Sequence, residues 1–219
     1  MAIRHTGVTM KAEQRREREI AHARLDILDA AVRAFARSGL HGTTMQEIAR
    51  EAGYTAASLY TYFKSKQEII DAMSNQLTDE YVQMFEEPLP SGLTFRQRFE
   101  LMLHKQLELA QRRRNIFTIF LNDEPNGSPC SSDDRTFHNN FERRIESLSA
   151  WLQHNAKSDD LGGNDPRLIA RILFGMAFGL FHQWGDKTQP PSFVDYAPII
   201  TEFFFHGVSS KPKTGARKK

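Results

Sequence analysis

A chain of 219 residues, 40% hydrophobic and 26% charged, is long enough for one large domain or two modest ones with buried cores. Its single cysteine, Cys130, excludes an intramolecular disulfide and a cysteine-built zinc site, which fits a reducing, cytoplasmic setting. The net charge of +2 is unevenly spread: residues 1–66 hold 11 Lys/Arg against 7 Asp/Glu, residues 67–210 hold 13 against 20, and residues 211–219 carry five positive charges and no negative one. A basic front on an acidic body is the asymmetry expected when one end meets a polyanion.

The longest apolar run, residues 172–181, spans ten residues, too few to cross a bilayer. The first residues are rich in Arg, Lys and Glu rather than forming an apolar signal core. No membrane association is expected.

Taken in chain order, residues 1–20 read as a flexible basic arm or helix extension. A first helix is expected over residues 13–38, with Leu25, Leu28, Val32 and Phe35 on one face at spacings of three and four. Gly39 follows in the position of a stop. Thr44 and Glu47 have capping-box spacing for a second helix whose buried side is Ile48 and Ala49. Gly53 stands where the chain must leave that helix, and Thr55 caps a third over residues 56–63. Ser65 and Glu68 form another box for a fourth helix over residues 65–87, striped by Ile69, Met73, Leu77 and Tyr81 and ended by Pro88 and Pro90.

Beyond it, Phe95, Phe99, Met102, Leu103, Gln106 and Ala110 mark a further amphipathic helix, with a boundary expected at Arg112–Arg114. Residues 122–134 form the clearest internal loop. Phe137, Phe141, Ile145, Leu148 and Leu152 define the next helix at near-heptad spacing. Asp165–Pro166 reads as an N-cap with proline at the first helical position, opening a helix expected to reach residue 184 and close at Gly185. A last helix is expected between residues 192 and 207. With no repeat, strand alternation or hairpin signal, the fold class is all-α.

Three caps and two glycine stops within about thirty residues define short helices at tight angles, as helix-turn-helix docking requires. In the third helix Leu59 and Phe63, four apart, face the core. Ala56, Ala57 and Thr61 are small enough for close approach to a major groove. Tyr60 and Tyr62 carry hydroxyls that reach phosphates, and Lys66 adds charge at the next helix start.

The residues Ala30-Ala31, Phe35, Gly39, Thr43-Thr44, Ile48-Ala49, Ala52-Gly53, Leu59-Tyr60, Phe63 and Lys66 resemble the tetracycline-repressor (TetR) family of bacterial regulators over residues 25–73. The resemblance implies that Thr44, Thr55, Ala56, Ala57, Ser58, Tyr60, Tyr62 and Lys66 line the DNA side, and Thr61 joins them by its small size on the third helix. Tyr54, Ala57 and Tyr62 depart from the family's usual Val, Gly and His.

It further implies a DNA-binding domain over residues 21–67 and a ligand-binding and dimerisation domain over residues 68–208, while the charge distribution marks a basic, disordered tail over residues 209–219. The partners implied are an operator duplex, a small-molecule effector and a second copy of the chain, packed through the last two helices. The sequence supports pairing independently: Ile172, Leu173, Phe174, Met176, Phe178, Leu180 and Phe181 surround almost the whole helix. Gly175 and Gly179 bare one side of it, and Phe203, Phe204 and Phe205 cannot all enter one small core.

Phe174, Gly175, Gly179, Phe203 and Phe204 are therefore the expected dimer residues. An effector pocket lined by Phe99, Met102, Phe117, Phe120, Phe141, Phe178 and His182 would suit an apolar or aromatic molecule. The histidines lack metal-ligand spacing, and no nucleophile motif, carboxylate pair or cofactor loop stands out. Neither metal, cofactor nor enzymatic activity is expected. The leading reading is a ligand-responsive regulator, most simply a repressor. The alternatives are an all-α enzyme and a DNA-binding protein without a dedicated operator.

Overall fold

The computed structural model describes residues 6–122, 135–181 and 192–207. Among the described residues every regular element is helical: α1 (Thr6–Gly42), α2 (Met45–Glu51), α3 (Ala56–Tyr62), α4 (Lys66–Glu86), α5 (Phe95–Arg112), α6 (Arg114–Asn122), α7 (Arg135–Asn155), α8 (Pro166–Phe181) and α9 (Ala197–Gly207). The fold is all-α. Single 3₁₀ turns at Ser158–Leu161 and Phe193–Tyr196 precede α8 and α9. None of the described helices is long and apolar enough to cross a membrane. The residues fall into two compact units: the first runs to Met73 and includes the end of α6 from Ile119, and the second takes Ser74–Thr118 and the described residues from 135 onward.

In the first unit, α1 buries Ala23, Ile27, Ala30, Ala31, Ala34 and Phe35. The alanines let α2 and α3 pack close to its backbone. Leu25 is 47% exposed, which corrects its place on the buried face. It lies two residues from Ile27, roughly 200° round the helix, and the true stripe is carried by small residues that a search for bulky ones passes over.

Gly39 breaks α1 with φ 71° and ψ 168°, a left-handed φ that costs glycine little. Thr43 Oγ1 donates to the Gly39 carbonyl at 2.7 Å and so ties off the broken end. Phe63, Leu59, Ile48 and Ile69 are fully buried and complete this core.

In the second unit α5 packs against α9 and the 3₁₀ turn before it, and α7 packs against α8. Thr94 opens α5 with a capping box to Gln97 that the spacing analysis passed over. Phe99 and Phe204 stack with centroids 4.3 Å apart and Phe95 meets both edge-on. Gln111 Oε1 accepts from Ser192 Oγ and from the Phe193 amide, fixing the turn that leads into α9.

Glu142 on α7 accepts from Arg167 and Arg171 on α8 at 2.6 and 2.7 Å. The hydrogen bond from Arg167 is the main reason its carboxyl lies below the usual range. Asp165 Oδ1 accepts from the Arg167 amide at 3.0 Å as an N-cap for α8. The expected end of α8 at residue 184, its stop at Gly185, most of the loop over residues 122–134, Cys130 and the tail over residues 209–219 lie outside the described residues.

Candidate functional site

The α2–turn–α3 segment is built by its caps. Thr44 Oγ1 accepts from the Glu47 amide while the Glu47 carboxylate accepts from the Thr44 amide at 2.8 Å. Those bonds from Thr44 hold the Glu47 carboxyl below its ordinary value. Gly53 turns the chain with φ 75°, and the Tyr54 amide donates back to the Ala49 carbonyl at 2.8 Å. Thr55 Oγ1 then accepts from the Ser58 amide and starts α3.

With Leu59 fully buried and Phe63 behind it, the opposite side of α3 is forced outward. Ala57, Thr61 and the 42%-exposed Tyr60 lie there with Thr44 and Thr55, while Ala56, Ser58 and Tyr62 are half-buried. Tyr62 meets Tyr54 edge-on at 5.7 Å, so the two departures from the family's usual residues support each other. Thr61 Oγ1 donates to the Ser58 carbonyl and keeps its methyl available.

Lys66 is placed differently from expectation. Its Nζ donates to the carbonyls of Leu40, Thr43 and His41 at 2.6, 3.0 and 3.3 Å. The ammonium's three protons serve the end of α1 and the turn after it, so Lys66 is a clamp rather than a free phosphate contact. The fourth helix also starts slightly differently. The Glu68 amide donates to Ser65 Oγ, but its carboxylate accepts from the Lys64 amide, one residue further out.

Of the neighbouring arginines, Arg33 and Arg37 both pair with Glu51 and Arg24 pairs with Glu68 and covers the Phe63 ring at 4.0 Å. Arg50 and Lys64 are exposed and make no ion pair among the described residues. They are the cations that sequence reasoning missed, although their position beside the caps was the available signal.

In the second unit, a cavity of about 40 Å³ is lined by Leu77, Tyr81, Gln106, Leu107, Leu109, Ala110, Phe117, Arg144, Phe174 and Ala177. Of the expected pocket residues, it receives Phe117. Phe141 stands behind it, edge-on to Phe174 at 5.2 Å, and Phe120 and Phe178 do not line it. Phe99 and Met102 are corrected to core residues, both buried, Phe99 under its stack with Phe204. His182 lies outside the described residues.

The polar members were not foreseen. Gln106 Nε2 donates to the Tyr81 hydroxyl at 2.6 Å, and burial pushes the Tyr81 phenol up. Arg144 is buried; its Nε and Nη2 donate to Thr78 Oγ1 at 2.9 and 2.7 Å. Desolvation lowers its guanidinium to about 10, which leaves it charged at neutral pH. Asn140 Nδ2 donates to Ser74 Oγ and Asn75 Oδ1. A larger groove of about 500 Å³ beside Pro88, Trp151 and His154 opens broadly to solvent and lacks the enclosure an apolar ligand needs.

The expected dimer residues divide between two environments. Gly175, Gly179 and Phe203 are exposed, Phe203 by 62% and its neighbour Ile199 by 66%. Leu168 and Ile172 on α8 are exposed as well. Phe204 is 1% exposed and Phe174 faces Tyr81 and the cavity, so both leave the dimer set. Each sits one residue, about 100°, from an outward-facing neighbour. Among the described residues no group of three or more His, Cys, Asp or Glu is placed to hold a metal ion.

Residues 27–73 match the family model described as bacterial regulatory proteins, tetR family. The chain is 26% identical to the transcriptional regulator RutR of Escherichia coli K12 over 92% of each chain. It is 23% identical to the fatty acid metabolism regulator protein of Bacillus subtilis over 85% of this chain and 96% of that protein. In fold it resembles FadR of B. subtilis, solved with stearoyl-CoA (TM-score 0.69, 20% identity, 84% and 98% of the two chains). NalD, a repressor of an efflux pump in Pseudomonas aeruginosa, is similar at TM-score 0.66 and 23% identity, over 87% and 98%. A capped helix-turn-helix in the matched segment and these relatives give one conclusion: residues 27–73 form a DNA-binding domain of the tetR family of bacterial regulatory proteins, in a chain similar over most of its length to transcriptional regulators.

Proposed function

We propose that the chain is a repressor that binds a pseudo-palindromic operator as a homodimer and leaves it when a small effector enters the body. The observation that carries this reading is the outer side of α3, polar or small at Ala57, Tyr60 and Thr61 over the buried Leu59. Thr44, Thr55, Ala56, Ala57, Ser58, Tyr60, Thr61 and Tyr62 form the contact surface, with Arg50 and Lys64 supplying phosphate charge. The Lys66 clamp holds that surface in register. No enzymatic activity is part of this reading.

Pairing is supported by apolar stripes that neither α8 nor α9 covers: Leu168 and Ile172 beside Gly175 and Gly179, and Ile199 with Phe203. Exposed apolar surface of this kind marks an interaction site, and a twofold pair would set two readers about 34–36 Å apart on successive major grooves. The effector class is an apolar molecule. FadR of B. subtilis, similar in fold, holds stearoyl-CoA, which extends the class to long-chain molecules.

The cavity of about 40 Å³ holds little more than one water, so an effector enters only with a shift of the helices around it. A ligand that binds the shifted state better draws the population there and away from the DNA-competent one. Because α4 runs continuously from Lys66 to Glu86, it carries that shift.

Selection of bound duplexes from a random pool at one fixed salt concentration tests the reading. An inverted repeat with half-sites about one helical turn apart is expected. Equal affinity for selected and random duplexes at that salt would overturn it, since nonspecific binding is electrostatic.

A further inference from the structure

We propose that the effector is an apolar molecule ending in a carboxylate, and that Arg144 on α7, assisted by the Tyr81 hydroxyl on α4, is the group that receives it. This inference rests on the reading of the cavity as an effector site and adds the ligand's charge.

A buried cation is ordinarily paired with a carboxylate, because desolvating a lone charge is costly. Arg144 has no acidic partner among the described residues. Its hydrogen bonds go to the Thr78 hydroxyl and, at 3.5 Å, to the Ser74 carbonyl. The nearby acids are committed elsewhere, Asp79 to Arg143 and Glu80 to Arg113. Tyr81 supplies no negative charge, since burial holds its phenol neutral.

The guanidinium keeps one further nitrogen, Nη1, with no hydrogen bond among the described residues, and Arg144 lines a cavity that is apolar apart from Tyr81 and Gln106. Tyr81 accepts from Gln106, which leaves its own proton to donate. Two donor-bearing side chains, one of them charged, thus line one cavity with no acidic residue in its lining. A carboxylate supplies the missing charge and accepts both bonds.

Calorimetric titration of the full chain with decanoate, decan-1-ol and decanoyl-CoA tests this, with the apolar chain held constant. Decanoate is expected to bind about tenfold or more tightly than decan-1-ol, the range of a charge-assisted hydrogen bond. In Arg144→Met that ratio falls to about one, while decan-1-ol still binds. Thr78→Val, which removes the hydroxyl that orients the guanidinium, lowers the ratio too and serves as the second variant should Arg144→Met not fold.

An equal affinity for decanoate and decan-1-ol in the wild type, or a ratio that survives in Arg144→Met, would overturn the assignment and leave the apolar cavity standing. Dependence on Arg144 for decanoyl-CoA but not for decanoate overturns the carboxylate. Failure of all three probes to bind overturns the effector cavity itself.

Discussion

The DNA-reading unit and the body are both helical, yet they are held together by different means. In the reader, helices of seven residues are too short to persist alone, and local bonds close their ends: side chains of Thr44 with Glu47, Thr55, Ser65, Thr43 and the Lys66 ammonium, and the backbone amides of Gly53 and Tyr54 after α2. In the body, helices of 11 to 21 residues are joined by side-chain packing, α5 to α9 by aromatic contacts around Phe99 and Phe204. Local bonds fix the orientation of a small reading surface. A body joined by side-chain packing can rearrange around a ligand without losing its helices.

The largest effect should come from breaking the body's packing. Phe99→Ala removes a fully buried ring from the stack with Phe204 and is expected to cost about 3–5 kcal/mol in urea unfolding followed by a probe in the body. Hydrogen exchange should show the loss in α5 and α9 while α2 and α3 keep their protection. Equal loosening of both units would mean that the contrast in how they are held is false.

Next in size is Lys66→Met, which keeps the apolar stem and removes three donors to main-chain carbonyls. Hydrogen bonds from a charged group contribute about 1.5–3 kcal/mol each at most, and water replaces part of the loss at this half-buried position. A cost of about 2 kcal/mol is expected, confined to the exchange protection of the end of α1 and of α2 and α3. Unchanged protection there, with only weaker operator binding, would return Lys66 to the role of a phosphate contact.

Those two residues also show what the sequence made legible. Thr44, Gly53 and Thr55 could be placed because caps and turns act over three or four residues, within reach of a pattern. The core positions of Leu59 and Phe63 followed from a spacing of four. Lys66 was misread because its partners lie 23 to 26 residues away, and nothing local distinguishes a clamping lysine from a solvated one.

The body was harder for the same reason. Arg144 meets Thr78 across 66 residues, and which of two adjacent phenylalanines turns inward, Phe203 or Phe204, depends on the rotation of α9 against α5. Alternating faces could be read there; their direction could not.

Tyr60→Ala should leave stability nearly unchanged, because the side chain is largely exposed. It should weaken operator binding about tenfold across all bound sequences, as loss of a phosphate contact does. A change confined to one base position in a repeat of the random-pool selection would instead make Tyr60 a base reader.

The smallest expected effect compares the two capping boxes themselves. In the reader the Glu47 carboxylate accepts from Thr44, and that amide bond together with the Thr44 hydroxyl lowers its pKa below the ordinary 4.5. A carboxyl depressed in the folded state stabilises that state above its unfolded value, and the contribution is lost as pH falls through the lowered one. In the body the matching acceptor at Thr94 is the amide of Gln97, which has no charge to lose. Exchange protection of the Thr44 amide should therefore decline as pH is lowered beneath 4.5, while that of the Thr94 amide stays level. Glu47→Gln should give the reader the body's flat profile, with slightly lower protection of Thr44 at neutral pH because a neutral acceptor bonds more weakly. If the Glu47→Gln profile still declined with acid, the sensitivity would belong to another carboxylate, with Glu51 on the same helix, paired to Arg33 and Arg37, the next to replace.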